Sequence, residues 1–327
     1  MSSSEAKTIG IAGISGKFAQ CIIKPLLLNP SVQIKGYCRN ASKLPTILTT
    51  HPRIKILTGS YDDKTSIENF VSNTSVVICC YFASTEVMTN GQKYIIDACE
   101  TAKVPRYIAG DFSVDHTLIP SSRIRLFPKP TIKIIEYLST KKTVKGVHIL
   151  NGALVETFSA EFFQLYDSSS RALSYWGTGD EKWEFTTYQT AADYTAAVSL
   201  YENAVGIFRF LEDRKSPREL QSIFQTVYPT PLHLKCHGSL HDLEQKLQDT
   251  VKIHGENTSQ WGALGFAFWC TNGKAYLGED SRNLENSKYT QVKNVTMEQF
   301  LKRHALQELP PADQSLGFEE ILLGEVA

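Results

Sequence analysis

Residues 8–20, TIGIAGISGKFAQ, put glycines at positions 10, 13 and 16, where a short apolar run gives way to helical spacing from Lys17 onward. Glycine tolerates left-handed backbone and lets another group approach the main chain closely. At the end of a first parallel strand, Gly10 and Gly13 suit a tight turn that brings main-chain N–H groups against a ligand. Gly16 suits close packing of the following helix on the strand. A helix starting there offers unsatisfied N–H donors and a partial positive charge, which a pyrophosphate matches.

Outward from this turn, β-branched runs at 7–13, 32–38, 53–59, 75–82 and 105–110 alternate with helical spacing at 17–28, 42–49, 64–71 and 91–102. Near-continuous apolar strands separated by helices predict a parallel sheet covered on both faces. Right-handed crossovers make that an α/β, Rossmann-type doubly wound sheet. Later segments predict a helix with Pro130 in its first turn, a strand over 146–154 and a helix over about 157–166. Further helices follow over 186–202, with Thr190 and Asp193 as capping box, and from Ser216–Pro217. No Gly-, Ser- or Pro-rich linker divides the chain. The expected organisation is a nucleotide-binding lobe over 1–150 and a smaller C-terminal α+β substrate lobe over 151–327, interleaved in one domain.

The chain has 327 residues, 42% of them hydrophobic, and 34 basic residues balance 34 acidic ones. That balance leaves no electrostatic footprint for nucleic acid. No apolar run reaches the roughly 18 residues that span a bilayer, and the opening MSSSEAK lacks the features of a signal peptide. A soluble, cytoplasmic protein is expected. Seven cysteines, two of them adjacent at Cys79–Cys80, read as reduced thiols and not as a disulfide framework. His233, His237 and His241 share a spacing of four, but Gly238 interrupts it and Ser239 with Asp242 opens a new helix, so no metal is expected.

Arg39 ends the second strand, 23 residues past Gly16, where an acidic residue would hold the ribose hydroxyls of NAD. A guanidinium there suits a 2′-phosphate, which it binds bidentately, and Lys43 adds charge. NADP(H) is therefore the expected cofactor.

GIAGISGKFA at 10–19, Arg39, residues 58–82, 91–115 and 147–158, then 175–198 and 216–224, fall in the order of NmrA-like and isoflavone reductase-like proteins. This family is an atypical branch of the short-chain dehydrogenase/reductases, and the tail at 287–304 resembles its fungal members. The resemblance implies an NADP-binding Rossmann lobe with a small substrate lobe. It implies phosphate contacts from Ile14, Ser15, Gly16, Lys17 and Phe18, with Arg39 and Lys43 on the 2′-phosphate. It also places Ser60 and Tyr61 at the adenine side, and Cys80, Tyr81 and Phe82 beneath the nicotinamide ribose.

The resemblance further implies a catalytic lysine in a Lys-x-x-Val-x-x-Tyr-Leu frame, yet the frame ending at Tyr137–Leu138 has Thr131 there. Lys129 and Lys133 flank that position and are the catalytic candidates; a step of two turns a helical side chain by roughly 200°. Tyr137 and Lys141 match the Tyr-x-x-x-Lys pair of ordinary short-chain dehydrogenases, but late in their helix. Asp111 and Ser113 follow the fifth strand with no base recognisable beside either. The aromatic run 261–270 reads as core or as the lining of an aromatic-accepting site. Three activities are compatible: an NADPH-dependent oxidoreductase acting on a small apolar or aromatic metabolite of secondary metabolism, a redox-sensing regulator with a protein partner, or a non-redox biosynthetic isomerase or cyclase. Expected partners are a small-molecule substrate and a second copy in a homodimer, with no nucleic acid and no membrane.

Overall fold

Alternation along the first strands sorts their side chains onto two faces. In β1 (Lys7–Ala12), Ile9 and Ile11 face one way and Gly10 and Ala12 the other. In β4 (Val76–Cys79), Val76 and Ile78 separate from Val77 and Cys79 in the same manner. Such period-2 strands need cover on both sides, and the helices provide it. The computed structural model describes residues 7–118, 130–157, 165–167, 169–255, 257, 260–273, 276–278 and 284–306.

β1 lies between β4 and β2 (Val32–Cys38), parallel to both, with β3 (Ile54–Thr58) beyond β2. On the other side follow β5 (Arg106–Ile108), β6 (Lys145–Leu150) and a further parallel strand, β11 (Gly206–Arg209). The order is β11-β6-β5-β4-β1-β2-β3, which is the doubly wound arrangement with its switch point at β1 and β4. α1 (Lys17–Leu27) and α6 (Tyr188–Leu200) pack against each other over the face that carries Ile9 and Ile34. α3 (Lys64–Val71), α4 (Gln92–Thr101) and α5 (Pro130–Ser139) cover the other. Buried Arg106 of β5 fastens α6 to the sheet by donating to the carbonyls of Val198, Ser199 and Tyr201 at the helix end. The chain therefore returns to the first sheet after residue 150, through α6 and β11.

The rest is a smaller lobe. β7 (Ala153–Leu154), β10 (Trp183–Thr186) and β12 (Asp213–Lys215) form one short sheet; β8 (Tyr166–Asp167), β9 (Ala172–Tyr175) and β13 (His233–Cys236) form another. α7 (Pro217–Val227), α8 (Leu240–His254), α9 (Gly262–Thr271) and α10 (Met297–Lys302) pack beside them. Ser216 caps α7 with Glu219 in a capping box, and Ser239 with Asp242 caps α8, as the sequence predicts.

Two expectations change, and of the two readings of the aromatic run the structure shows core. α6 starts one turn earlier than Thr190 implies: Thr187 is its N-cap, accepting from the Thr190 N–H, and Asp193 instead accepts from Gln189. The predicted helix over 157–166 lies mostly outside the described residues, and its last residue, Tyr166, is strand. The aromatic run 261–270 is core, with Trp261, Phe268 and Trp269 buried among Leu243, Leu247 and Trp183. His233 lies on β13, so the histidine stripe never forms, and no His/Cys/Asp/Glu cluster able to hold a metal occurs among the described residues. No helix among them is long and apolar enough to cross a membrane.

Candidate functional site

β1 hands the chain to α1 through residues 13–16. Gly13 has φ +78°, and a Cβ there would stand 2.9 Å from the Cys80 carbonyl oxygen. The N–H groups of Gly13 and Ile14 both donate to the Tyr37 carbonyl, at 2.8 and 3.2 Å. These two amides pin the turn to the end of β2; they do not face a ligand, contrary to the sequence expectation for Gly13. The roles assigned to Gly10 and Gly16 are exchanged as well. Gly10 sits inside β1, where Phe70 of α3 and Val77 occupy the space of a Cβ at 3.1 Å. Gly16 packs against no strand; it is the exposed N-cap of α1. Having no side chain, it leaves the first amides of α1 uncapped, and the first turn carries no acidic residue. Replacing Gly13 by alanine forces a left-handed Cβ onto the Cys80 oxygen, at a cost of about 1–3 kcal/mol. We expect Gly13→Ala to lose cofactor binding at least tenfold and to melt a few degrees lower, read by calorimetric titration and thermal unfolding.

α6 presents a second helix N-terminus on the same side of the molecule, and this one is closed. Thr187 caps it, the Glu156 carboxylate accepts from the Tyr188 N–H at 2.9–3.0 Å, and Glu212 accepts from the Thr187 N–H at 2.5 Å. Burial pushes both carboxyls up, Glu156 to about 7. Two helices thus differ in one respect that matters: the α6 amides are taken by the chain's own carboxyl groups, and those of α1 are left for an external anion.

Tyr81, just beyond β4, is where the predicted nucleotide residues meet. It lies against Gly13 and Gly91, and Tyr61 packs on Gly91 beside it. Burial raises the Tyr81 phenol, and the Arg39 charge works the other way. Arg39 is exposed and takes no ion pair among the described residues. Lys43 ends a single helical turn that the Asn40 side chain holds by accepting from the Ser42 N–H. Ser60 is placed by its carbonyl, which accepts from the Tyr37 hydroxyl at 2.7 Å. Ile14 is fully buried over Gly36, while Ser15 is exposed and Phe18 half-buried. Cys80 donates its N–H to Ala12, and burial drives its thiol well above the ordinary value. Phe82 is 96% exposed.

Of the catalytic candidates, Lys133 sits elsewhere. Lys129 lies outside the described residues. Lys133 is exposed in an open groove of about 600 Å³ between α4 and α5, with Glu86, Asn90, Lys93 and Tyr137. The Tyr137 hydroxyl donates to Asp97 at 2.7 Å, and Lys141 donates to the same carboxylate at 2.6 Å. Burial and Asp97 raise the Tyr137 phenol, which is opposite to the lowered value a short-chain dehydrogenase tyrosine needs.

Sequence reasoning overlooked the partner of Asp111. The His148 ring on β6 places Nδ1 2.5 Å from Asp111 Oδ2, with both side chains buried. Asn151, just past β6, is fully buried with neither side-chain atom paired. A histidine facing inward from the apolar run VHIL was the available signal.

A doubly wound sheet, a glycine turn before an uncapped helix and a basic second-strand end define a dinucleotide-binding protein. The residues fit NADP(H): α1 amides for the diphosphate and a free guanidinium for the 2′-phosphate. A family model described as NAD(P)H-binding matches residues 13–133. Oxidoreductase aflX of Aspergillus parasiticus is 33% identical over 70 residues, 20% of this chain. That match spans about a quarter (26%) of the curated relative's length. Among solved structures, AtPrR2 with NADP+ and (+)pinoresinol superimposes with a TM-score of 0.73 at 16% identity, covering 93% of this chain and 100% of that one. An isoflavone reductase does so with a TM-score of 0.71 at 16% identity, covering 92% and 99%. The chain carries an NAD(P)H-binding domain on the scaffold of isoflavone and pinoresinol reductase-like proteins.

Proposed function

We propose that the chain is an NADPH-dependent reductase acting on a small apolar or aromatic metabolite of secondary metabolism. The observation that carries this reading is the uncapped α1 terminus and Gly13 beside Tyr81, with Arg39 exposed at the end of β2 and in no ion pair among the described residues. Bound there, the cofactor supplies a hydride. The chain's part is to orient it: α1 amides hold the diphosphate and Arg39 the 2′-phosphate, with the nicotinamide end toward β4 and β5. Aromatic rings border that edge. Phe18 and Phe112 lie 4.5 Å apart, Tyr188 is 6.1 Å from Phe18, and Phe82 stands in solvent. A planar apolar substrate suits such a border. It also agrees with the isoflavone and pinoresinol chemistry in the names of the structural relatives.

The test is NADPH oxidation by purified protein over a panel of enones, quinones and benzylic ethers. Turnover of at least one class supports the reading; cofactor binding with no turnover of any would sink it. Tyr137→Phe belongs in the same assay. Because its hydroxyl is committed to Asp97 and Lys141, we expect rates within about twofold of wild type; a drop of tenfold or more would return Tyr137 to the site. One observation favours a second reading, a cofactor-sensing regulator: Thr131 fills the lysine position and Lys133 points into the outer groove. Partner capture that changes with NADPH, without turnover, would support it.

A further inference from the structure

A reduction consumes a proton as well as a hydride, and the groups considered above do not supply it. Lys133 opens onto the outer groove, and the Tyr137 hydroxyl is committed to Asp97. Asp111 is buried and paired with His148. Another acid stands at the seam of the two lobes. Glu156 follows Val155, which belongs to the core of the smaller lobe. Its carboxyl group accepts from the N–H of Tyr188, whose side chain packs on the core of the first. The Tyr188 ring lies 6.1 Å from Phe18 of α1, and Phe18 lies 4.5 Å from Phe112 of the segment after β5. Glu156 and all three rings are half-buried. Because α1 and α6 pack along each other, this carboxyl group and the uncapped α1 terminus belong to the same face of the sheet.

We propose that Glu156 is the catalytic acid, donating the proton that completes reduction of a substrate lying against Phe18, Phe112 and Tyr188. The inference rests on the reductase reading above and names the acid of that reaction. When hydride forms a C–H bond at the electrophilic carbon of an enone or quinone, the displaced electron pair moves onto the carbonyl oxygen. In a benzylic ether the C–O bond breaks and the pair stays on the departing oxygen. In each case the Glu156 O–H bond breaks, a new O–H bond forms on that oxygen, and the carboxylate takes a replacement proton from water. The residue suits both sides of the transfer. Burial favours the neutral acid beforehand, and the Tyr188 N–H at the α6 terminus steadies the carboxylate afterwards. Burial first, with Glu212 adding to it, places the group at about 7, near the pH at which a general acid works best. The other titratable groups of this region are Cys21 of α1 and Tyr188 and Asp193 of α6, with Lys24 acting on Asp193. Burial raises those three as well, so their neutral forms are favoured around the acid.

Turnover of chalcone, 1,4-naphthoquinone and benzyl phenyl ether with NADPH, from about pH 5 to 9, tests this. Wild-type kcat should be level at low pH and fall about tenfold per unit once pH passes 7. Glu156→Gln keeps an oxygen for the Tyr188 N–H but has no acidic proton. It should lose kcat about 100-fold or more at about pH 6 and lose the decline above 7. Its KM should stay within about threefold and its NADPH affinity, read by calorimetry, within about twofold. Glu156→Asp retains an acid and should recover part of the rate together with the pH dependence. Infrared spectra of the unliganded chain give a readout without turnover. Wild type should show a protonated-carboxyl band that fades near pH 7 and that Glu156→Gln lacks. Should the glutamine variant not fold, the wild-type pH profile and the fading of that band carry the test. A kcat for Glu156→Gln within about threefold of wild type would overturn the acid role alone. So would a wild-type rate that is flat with pH, or loss of NADPH binding in step with loss of rate. Wild type that turns over none of the three compounds would overturn the reductase reading and this inference with it.

Discussion

Arg39→Glu should weaken NADPH binding about 100-fold, near 2.7 kcal/mol, and should at the same time improve binding of NADH. The guanidinium stands exposed at the end of β2, free of ion pairs among the described residues, with its charge felt at Tyr81. A planar fork facing a phosphate makes two charge-assisted hydrogen bonds, roughly twice as strong as neutral ones. Glutamate removes both and adds repulsion toward the 2′-phosphate, while its carboxylate accepts from the 2′-hydroxyl that NADH carries instead. The contact is solvent-facing, so the wild-type preference for NADPH should shrink as salt rises. Because Arg39 braces nothing in the fold, melting should hold within about 0.5 kcal/mol. Titrating both cofactors at low and high salt reads all three effects. An NADPH to NADH ratio that survives the charge reversal would mean that another group selects the cofactor.

The turn at Gly13 and the strand end before Arg39 were legible because each answers to local rules: a glycine that takes positive φ, and the close of an apolar run. Gly10 and Gly16 were not, because what decides them is distant. Phe70 of α3 occupies the space above Gly10, and the Tyr37 carbonyl on β2 takes the turn amides. The same holds for Asp111, whose partner His148 is 37 residues away and arrives only when β6 pairs with β5. β11 was missed for a related reason. Its residues are all half-buried and carry no alternation, so only pairing with β6 makes them strand. In the smaller lobe, strands of two to four residues fall below the length at which periodicity says anything. The cap of α6 went to Thr190 because Asp193 completes a capping box on paper, whereas Thr187, Glu156 and Glu212 together close the helix one turn earlier.

Those two carboxylates carry the second large effect. Glu156 titrates near 7 instead of near 4.5, mainly because burial penalises its charged form; the Tyr188 N–H works against the shift, and Glu212 adds to it. Raised in the fold, the group stabilises most when protonated. Its contribution is complete below about pH 4.5 and fades as pH climbs through 7, where the folded chain must hold a buried anion that the unfolded chain exposes to water. A gap of this size corresponds to something on the order of 3 kcal/mol. Glu156→Gln keeps an oxygen for the Tyr188 N–H and cannot ionise. It should match wild type near pH 4.5 and melt roughly 5 °C higher at pH 8. Some slope should persist in the variant, since burial raises Glu212 as well, and the neighbouring Cys21 and Asp193 are also shifted upward. The glutamine still fills the α6 terminus, so NADP(H) should continue to bind at α1 alone, with one molecule per chain. Melting curves from pH 4.5 to 8 for both proteins decide the matter: parallel curves would mean that Glu156 is ionised in the fold throughout, and that α6 is closed by a carboxylate it holds at no cost.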